Sequence, residues 1–446
     1  MKLNYLLLLA LVSLMGLWSC SEDEDVYISE GEKIIGKGIT SDTLSGAVKG
    51  TLVAGNTYYF KSDIIVNAGD TLLMQSGAKL IAIGDGTTTA KSPQITVNGT
   101  FMSLGTKDKQ NYITVIDSYR DPANAFKGYW GGIQCGSKSG DLIIKWTHIE
   151  FVGGPSGPAN DPAIYSEGSA RYTILFSSES SNFVLEDSWI YGSKDDAIRC
   201  VGGKMSIMRN TFEMCGEKGG ESFNVKSGAV GDIAYNLFIG AATNGAKLSN
   251  SGGSKIQCNV NIYNNTFVNC GMRQVKTGRG GSINTEAGAK GLIYNNLIVN
   301  CRFGLRVVVD TDTLNTKYNN QFYYGNDDAF VKEFNATAGI SKPQKGDIYG
   351  KAKENDPLFV AYDVKKYDFT QSPLKAPADV YKQPYELNQV GTSNFRLQPT
   401  SGAIGKGKTD FSPVKAVTKT GVYGTDITLP GKDIGAYQAD GSGNQH

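Results

Sequence analysis

Histidine is almost missing from this chain of 446 residues: there are two, and one of them, His446, ends the sequence. Histidine is the side chain whose ordinary pKa lies nearest neutrality. Acid–base chemistry here would therefore have to rest on carboxylates or amines shifted by their surroundings. No Gly-x-Ser-x-Gly elbow and no Walker-type loop occurs, which leaves serine hydrolases and nucleotide sites without support. Excess charge of either sign is lacking too, with 44 basic against 43 acidic residues. No bulk field draws the chain to nucleic acid. Neither a heptad nor a sustained 3.6-residue periodicity is present, which argues against helical repeats. The seven cysteines include no CxxC motif or zinc-type pairing.

What is abundant points the other way. Fifty-five glycines, 23 tyrosines and 18 phenylalanines suit many short strands joined by tight turns. Residues 1–19 read as a signal peptide, because the apolar run from Leu6 to Leu17 is too short to span a bilayer. The run stops at Leu17-Trp18-Ser19-Cys20, which looks like a lipobox, with Cys20 as the lipidated residue. Ser21-Glu22-Asp23-Glu24-Asp25 follows at once, and resembles the acidic export signal of certain Gram-negative surface lipoproteins. The expectation is a protein anchored in the outer membrane by its lipid and facing the medium.

A short pattern recurs along the middle of the chain: a polar residue, any residue, then a large apolar one. It reads Thr147-His148-Ile149, Asp187-Ser188-Trp189, Asn210-Thr211-Phe212, Asn236-Leu237-Phe238, Asn265-Thr266-Phe267, Asn296-Leu297-Ile298 and Asn320-Gln321-Phe322. From Asp187 the steps are 23, 26, 29, 31 and 24 residues. A fixed motif at variable spacing, with strand-like runs such as Leu292-Ile293-Tyr294, predicts an all-β, single-stranded right-handed parallel β-helix with capped ends. Stacked Asn side chains would satisfy one another's amides at the corner of each coil. Residues 20–45 are expected to form an acidic linker and N-terminal cap, 46–335 the coils, and 336–446 a long loop and closing coil. Within the last region, 336–392 reads as a loop or lid.

Gly69-Asp70-Thr71-Leu72 and Tyr129-Trp130-Gly131-Gly132-Ile133 resemble the opening coils of pectate-lyase-like β-helix proteins. Asn394-Phe395-Arg396-Leu397 and Asp433-Ile434-Gly435-Ala436-Tyr437 resemble their final coil. The resemblance implies fold over nearly the whole mature chain and says less about activity. Cys215, Cys270 and Cys301 each lie five residues after a repeat Asn, which places them in one column. A stack of buried thiols is the first reading of that column, and a Cys270–Cys301 disulfide the second. His148, in a strand beside Glu150, is expected to be solvated or partly packed.

Neighbouring coils aligned on their apolar residues bring Arg199, Asn224, Lys247, Asn284 and Arg306 to one outward face, with Asp196, Glu221, Lys226 and Glu286 nearby. Asp196, Glu221 and Asn224 are hard oxygen ligands of the kind Ca²⁺ takes. Ca²⁺ would neutralise a uronate carboxylate, after which Lys226 could remove the adjacent proton while Lys247 or Arg306 serves the leaving side. Arg199, Asn284 and Glu286 would contact substrate. The segment Glu221 to Ser227 also resembles the Glu-x-x-x-x-Lys-Ser strand of alginate- and chondroitin-type lyases, which implies Lys226 as base. It departs from that family at Gly245-Ala246-Lys247-Leu248, where an Arg-His pair is expected. The partner implied is an acidic polysaccharide, with glycan-uptake proteins as neighbours. Two other readings stay open: a glycan-binding lipoprotein without catalysis, and a structural or adhesive one whose polar columns serve solubility.

Overall fold

A computed structural model describes residues 35–366 and 393–446. The proposed signal peptide, Cys20, the acidic run and residues 367–392 of the expected lid lie outside the described residues. Among the described residues no helix is long and apolar enough to cross a membrane.

The chain is nearly all β, built of three long parallel ladders visited in turn. The first ladder has ten strands, from Gly50–Leu52 to Lys317–Asn319. The second runs from the front half of Thr57–Val66 through Lys79–Ala82 and Thr147–Glu150 to Phe322–Tyr324. The third starts in the back half of the same strand and ends at Leu305–Val307. Each strand pairs in parallel with its counterpart one circuit earlier and one later. Alternate residues point inward and form a continuous core from Leu44 to Phe334. Phe212, Phe238 and Phe267 stack within it at centroid distances of 4.9 and 4.7 Å. Like residues fall above like because the pairing register repeats.

The second ladder explains the sequence repeat. From Thr147–Glu150 onward its strands are only three or four residues long, because a left-handed corner stands before each of them. Trp146, Asp187, Arg209, Tyr235, Asn264, Asn295 and Asn320 form that corner, with φ between 47° and 59°. Inside it lies the amide column. Asn210 Nδ2 donates to Asn236 Oδ1 at 2.9 Å, Asn236 Nδ2 to Asn265 Oδ1 at 3.0 Å, and Asn265 Nδ2 to Asn296 Oδ1 at 3.0 Å. Two of the seven sequence alignments are one residue out. Ser188, not Asp187, stands below Asn210, and Gln321, not Asn320, stands above Asn296. Asp187 and Asn320 occupy the corner itself, and Asp187 turns outward to hold Arg209 at 2.8 Å. The inward residues of those strands are accordingly Ile190 and Tyr323. Trp189 faces out and is sandwiched between His148 (4.2 Å) and His446 (3.7 Å). His148 is thus buried in an aromatic column rather than solvated, with Tyr112 on its other face at 4.5 Å.

At the N-terminal end, residues 35–47 lie against the first circuit, where Ile39 N–H donates to the Thr51 carbonyl at 2.8 Å. At the other end the described residues do not stack as a further circuit. Asn394–Leu397 pairs antiparallel with Phe359–Ala361 in a separate small sheet. The segment from Ala403 to His446 then runs back over the outside of the first and second ladders. It is fixed there by Val414 and Lys415 N–H groups on the buried Asp232 carboxylate (2.9 Å each), by Thr425 on Glu186 (2.6 Å), and by Ala436 N–H on Thr266 (2.9 Å).

All six cysteines among the described residues are buried and free. Cys215, Cys270 and Cys301 share a column in which Ala241 fills the level between the first two. Burial pushes the Cys200, Cys215 and Cys258 thiols up to about 12. A thiol titration with Ellman's reagent should therefore find none of these six reacting in the folded protein and all six after denaturation. Prompt reaction of any one in native buffer would contradict the packing.

Candidate functional site

The third ladder carries the polar row on its outer face. Pairing sets Arg199 beside Asn224, Asn224 beside Lys247, Lys247 beside Asn284, and Asn284 beside Arg306. The inward neighbours Ile198, Phe223, Ala246, Ile283 and Leu305 anchor each strand in the core, so the row stands on a rigid floor. Asp196 and Glu221 enter from the turns just before their strands. Lys226 follows its strand on the opposite margin, its Nζ bonding Ser251 Oγ at 3.1 Å.

Two clusters share the row. In the first, Asp196 Oδ2 receives Arg199 Nε (2.7 Å) and Nη2 (2.6 Å), while Asp196 Oδ1 accepts the Glu221 N–H at 2.8 Å. Asn224 Nδ2 bridges Asp196 (2.9 Å) and Glu221 (3.2 Å). In the second, Lys247 Nζ bonds Glu286 Oε1 at 2.9 Å and lies 4.0 Å from Glu221 Oε1, so it links the clusters. Asn284 Nδ2 donates to Glu286 at 2.9 Å and its Oδ1 accepts from Arg306 Nη1 at 2.6 Å. Among the described residues Lys226 and Arg306 make no salt bridge with a carboxylate, unlike Arg199 and Lys247.

The carboxylates are driven apart. Burial, then the neighbouring Asp196 charge, pushes Glu221 up to about 8, so it carries a proton at neutral pH. Asp196, although buried, is held below the usual carboxylate range by Arg199 and the Glu221 N–H. Lys247 holds Glu286 low against its own burial. Lys226 is shifted the other way: burial, with Arg199 and Lys247 close by, lowers its amine below the ordinary lysine value. A protonated acid and a weakened ammonium at the two margins of one strand are the ingredients of acid–base chemistry without histidine.

Ca²⁺ is tested by its donors. It takes about six to eight oxygens, and here the Asp196 lone pairs are already occupied by Arg199, Asn224 and a backbone N–H. Glu221 is protonated, and Asn224 presents its NH₂ to both carboxyls. Among the described residues no group of three His, Cys, Asp or Glu side chains is placed to hold a metal. Asp196, Glu221 and Asn224 do not fit Ca²⁺; the Arg199 guanidinium fills the electrostatic place the ion would take.

Sequence reasoning read a loop or lid from residue 336 but missed the wall of Tyr165 and Tyr172. Tyr165 and Tyr172, from the loop after Gly153, close over Leu175, which is the neighbour of Arg199 in the ladder. The Arg199 guanidinium lies 4.5 Å from the Tyr172 ring centroid. Residues 336–341 cover the other end, where Arg306 Nε donates to the Ala338 carbonyl at 3.3 Å. Nothing in the spacing of these loops ties them to the strands they flank.

The pH dependence of stability follows from Glu221. Its folded pKa lies above the unfolded value of 4.5, so the native state binds the extra proton. The stability this group contributes is full below 4.5 and is lost as pH rises through about 8. Glu221→Gln keeps the shape without the titration. Its stability relative to wild type should rise by about 4 kcal/mol between pH 5 and pH 9, measured by urea unfolding at both values. Parallel pH curves for the two proteins would refute the shift.

Comparison of the chain with protein-family models, with curated proteins and with solved structures finds no match.

Proposed function

We propose that the three ladders form one right-handed parallel β-helix whose third face binds an acidic polysaccharide and cleaves it by β-elimination. The observation that carries this reading is the presence of two such groups on one strand and its approach: protonated Glu221, and Lys226, an amine with a lowered pKa and, among the described residues, no carboxylate in salt-bridge contact. In a uronate, the hydrogen on the carbon beside the carboxylate is the one to be removed. Neutral Lys226 takes that proton. Protonated Glu221 and the Arg199 guanidinium oppose the charge that builds on the substrate carboxylate, the role first expected of Ca²⁺. The glycosidic bond to the neighbouring carbon then breaks, its electron pair leaves with the oxygen, and a carbon–carbon double bond forms in the ring. Lys247 returns a proton to the departing oxygen, and Arg306 holds the chain further along. The lipobox at Cys20 and the acidic residues after it support a place on the outer surface, where such polymers and the uptake proteins for their fragments are met.

One observation favours a structural role instead: Asn224 and Asn284 are nearly inaccessible, and Arg199 and Lys247 already hold carboxylates of the protein. The test is the ultraviolet absorbance of unsaturated uronate ends, followed with the purified protein on a panel of acidic polysaccharides, with Ca²⁺ and with chelator. A rise that chelator leaves unchanged is expected. A flat trace with measurable binding would support the binder, and a flat trace without binding would leave a structural or adhesive role.

A further inference from the structure

The row is short and walled at both ends. Leu175 and Gln134, which continue it beyond Arg199, are roofed by Tyr165 and Tyr172, and the Tyr165 hydroxyl donates to Gln134 Oε1 at 2.8 Å. Both rings are themselves buried, so this wall is packed against the sheet. Beyond Arg306 the next layer is Asn335 to Ser341. It is joined by the Asn335–Leu305 bridge, by Ile340 N–H on the Val307 carbonyl (2.7 Å) and by Ser341 Oγ on the Leu305 carbonyl (2.7 Å). Between the walls lie five strands, a length of roughly 19 Å at the ~4.8 Å spacing of paired strands. That is room for a few sugars and not for a polymer running past. Lys226 belongs to the second of the five strands, next to the Tyr172 end.

We infer that the site takes the end of an acidic polysaccharide chain, or a short acidic oligosaccharide, seated against the Tyr172 wall. This rests on the polysaccharide reading above and narrows it. The occupant is anionic because Lys226 and Arg306 make no salt bridge with a carboxylate among the described residues, and Glu221 adds no negative charge at neutral pH. A chain whose end abuts Tyr172 places its first or second linkage at Lys226. The enzyme then trims short fragments from ends and leaves the interior of the polymer alone.

The experiment uses the purified protein with whichever polyuronate of the panel binds, its size-fractionated polymers and its oligosaccharides of defined length. Affinity should climb to about the tetrasaccharide and then level. Calorimetry should count a fixed number of protein molecules per polymer chain, however long the chain. Short unsaturated products should appear from the first minutes while viscosity hardly falls. Tyr172→Ala opens the wall and should raise the protein bound per long chain several-fold. Stoichiometry that grows with chain length in the wild-type protein, or an early collapse of viscosity, would overturn end recognition and leave the polysaccharide reading intact. No binding to any polymer or oligomer of the panel would overturn both.

Discussion

Lys226→Ala should lower the rate of unsaturated-end formation by about 10³-fold while changing polysaccharide affinity less than tenfold, since a positioned general base contributes on the order of 10²–10⁴. The expectation rests on where the amine is held. Among the described residues its side-chain hydrogen bond goes to Ser251 and no carboxylate pins its proton, so it can meet substrate in neutral form. Lys226→Arg is the informative companion. Arginine keeps the positive charge and most of the reach, yet stays protonated at any working pH. If Lys226 only attracts the polymer, the arginine variant should retain activity. If Lys226 removes a proton, both variants fail while the arginine variant binds as wild type. The pH profile gives a second readout, because the competent form needs Lys226 neutral and Glu221 protonated. The wild-type rate should trace a bell, its alkaline limb carrying the loss of the Glu221 proton near 8. Glu221→Gln should remove that limb.

The polar row was legible because one rule governs it. Strands alternate in and out, so aligning Ile198, Phe223, Ala246, Ile283 and Leu305 fixes Arg199 through Arg306 by their position next door. The same rule misled at Asp187 and Asn320. There a large apolar residue, Trp189 or Phe322, stands one position before the smaller or more polar residue that truly faces the core. Size suggested the inward place, but the outward side of those strands is not water. His446 covers Trp189, and Phe322 packs in the apolar cluster of Phe359 and Phe395 under the returning C-terminal segment. That return was itself illegible, since its contacts are hydrogen bonds from irregular backbone to single buried acids, Asp232 and Glu186, which leave no periodic trace. The donor set raised for Ca²⁺ shows the same limit. Sequence gives the ligand types but not their prior engagements, and Arg199 lies three residues from Asp196 on a side of the strand where it can only bind it.

Asn265→Ala should cost about 3–5 kcal/mol, the largest stability loss expected from one polar side chain here, because it breaks a buried network rather than a single bond. The Asn265 amide donates to the Ile233 and Tyr263 carbonyls and to Asn296 Oδ1, all at 3.0 Å, and its Oδ1 accepts the Asn236 N–H at 2.9 Å and the Asn236 amide at 3.0 Å. Alanine removes the partner of the Asn236 N–H at a site no water reaches, which strands a donor as well as opening a gap. Asn315 offers the control. Its amide bonds only Asp312 in an exposed turn, so Asn315→Ala should cost less than about 0.5 kcal/mol. Urea denaturation of both variants against wild type would measure the difference as a fall in midpoint. The location of Asn265 adds a further expectation. Coils that contact only their neighbours couple through such interfaces, so a broken rung inside the stack should loosen the circuits on both sides of it. Amide hydrogen exchange should then show protection lost first at Leu237–Ile239 and Leu297–Val299, the strands either side of Thr266–Val268. Loss confined to residue 265 and its turn would mean that the core phenylalanine stack, and not the amide column, holds consecutive circuits together.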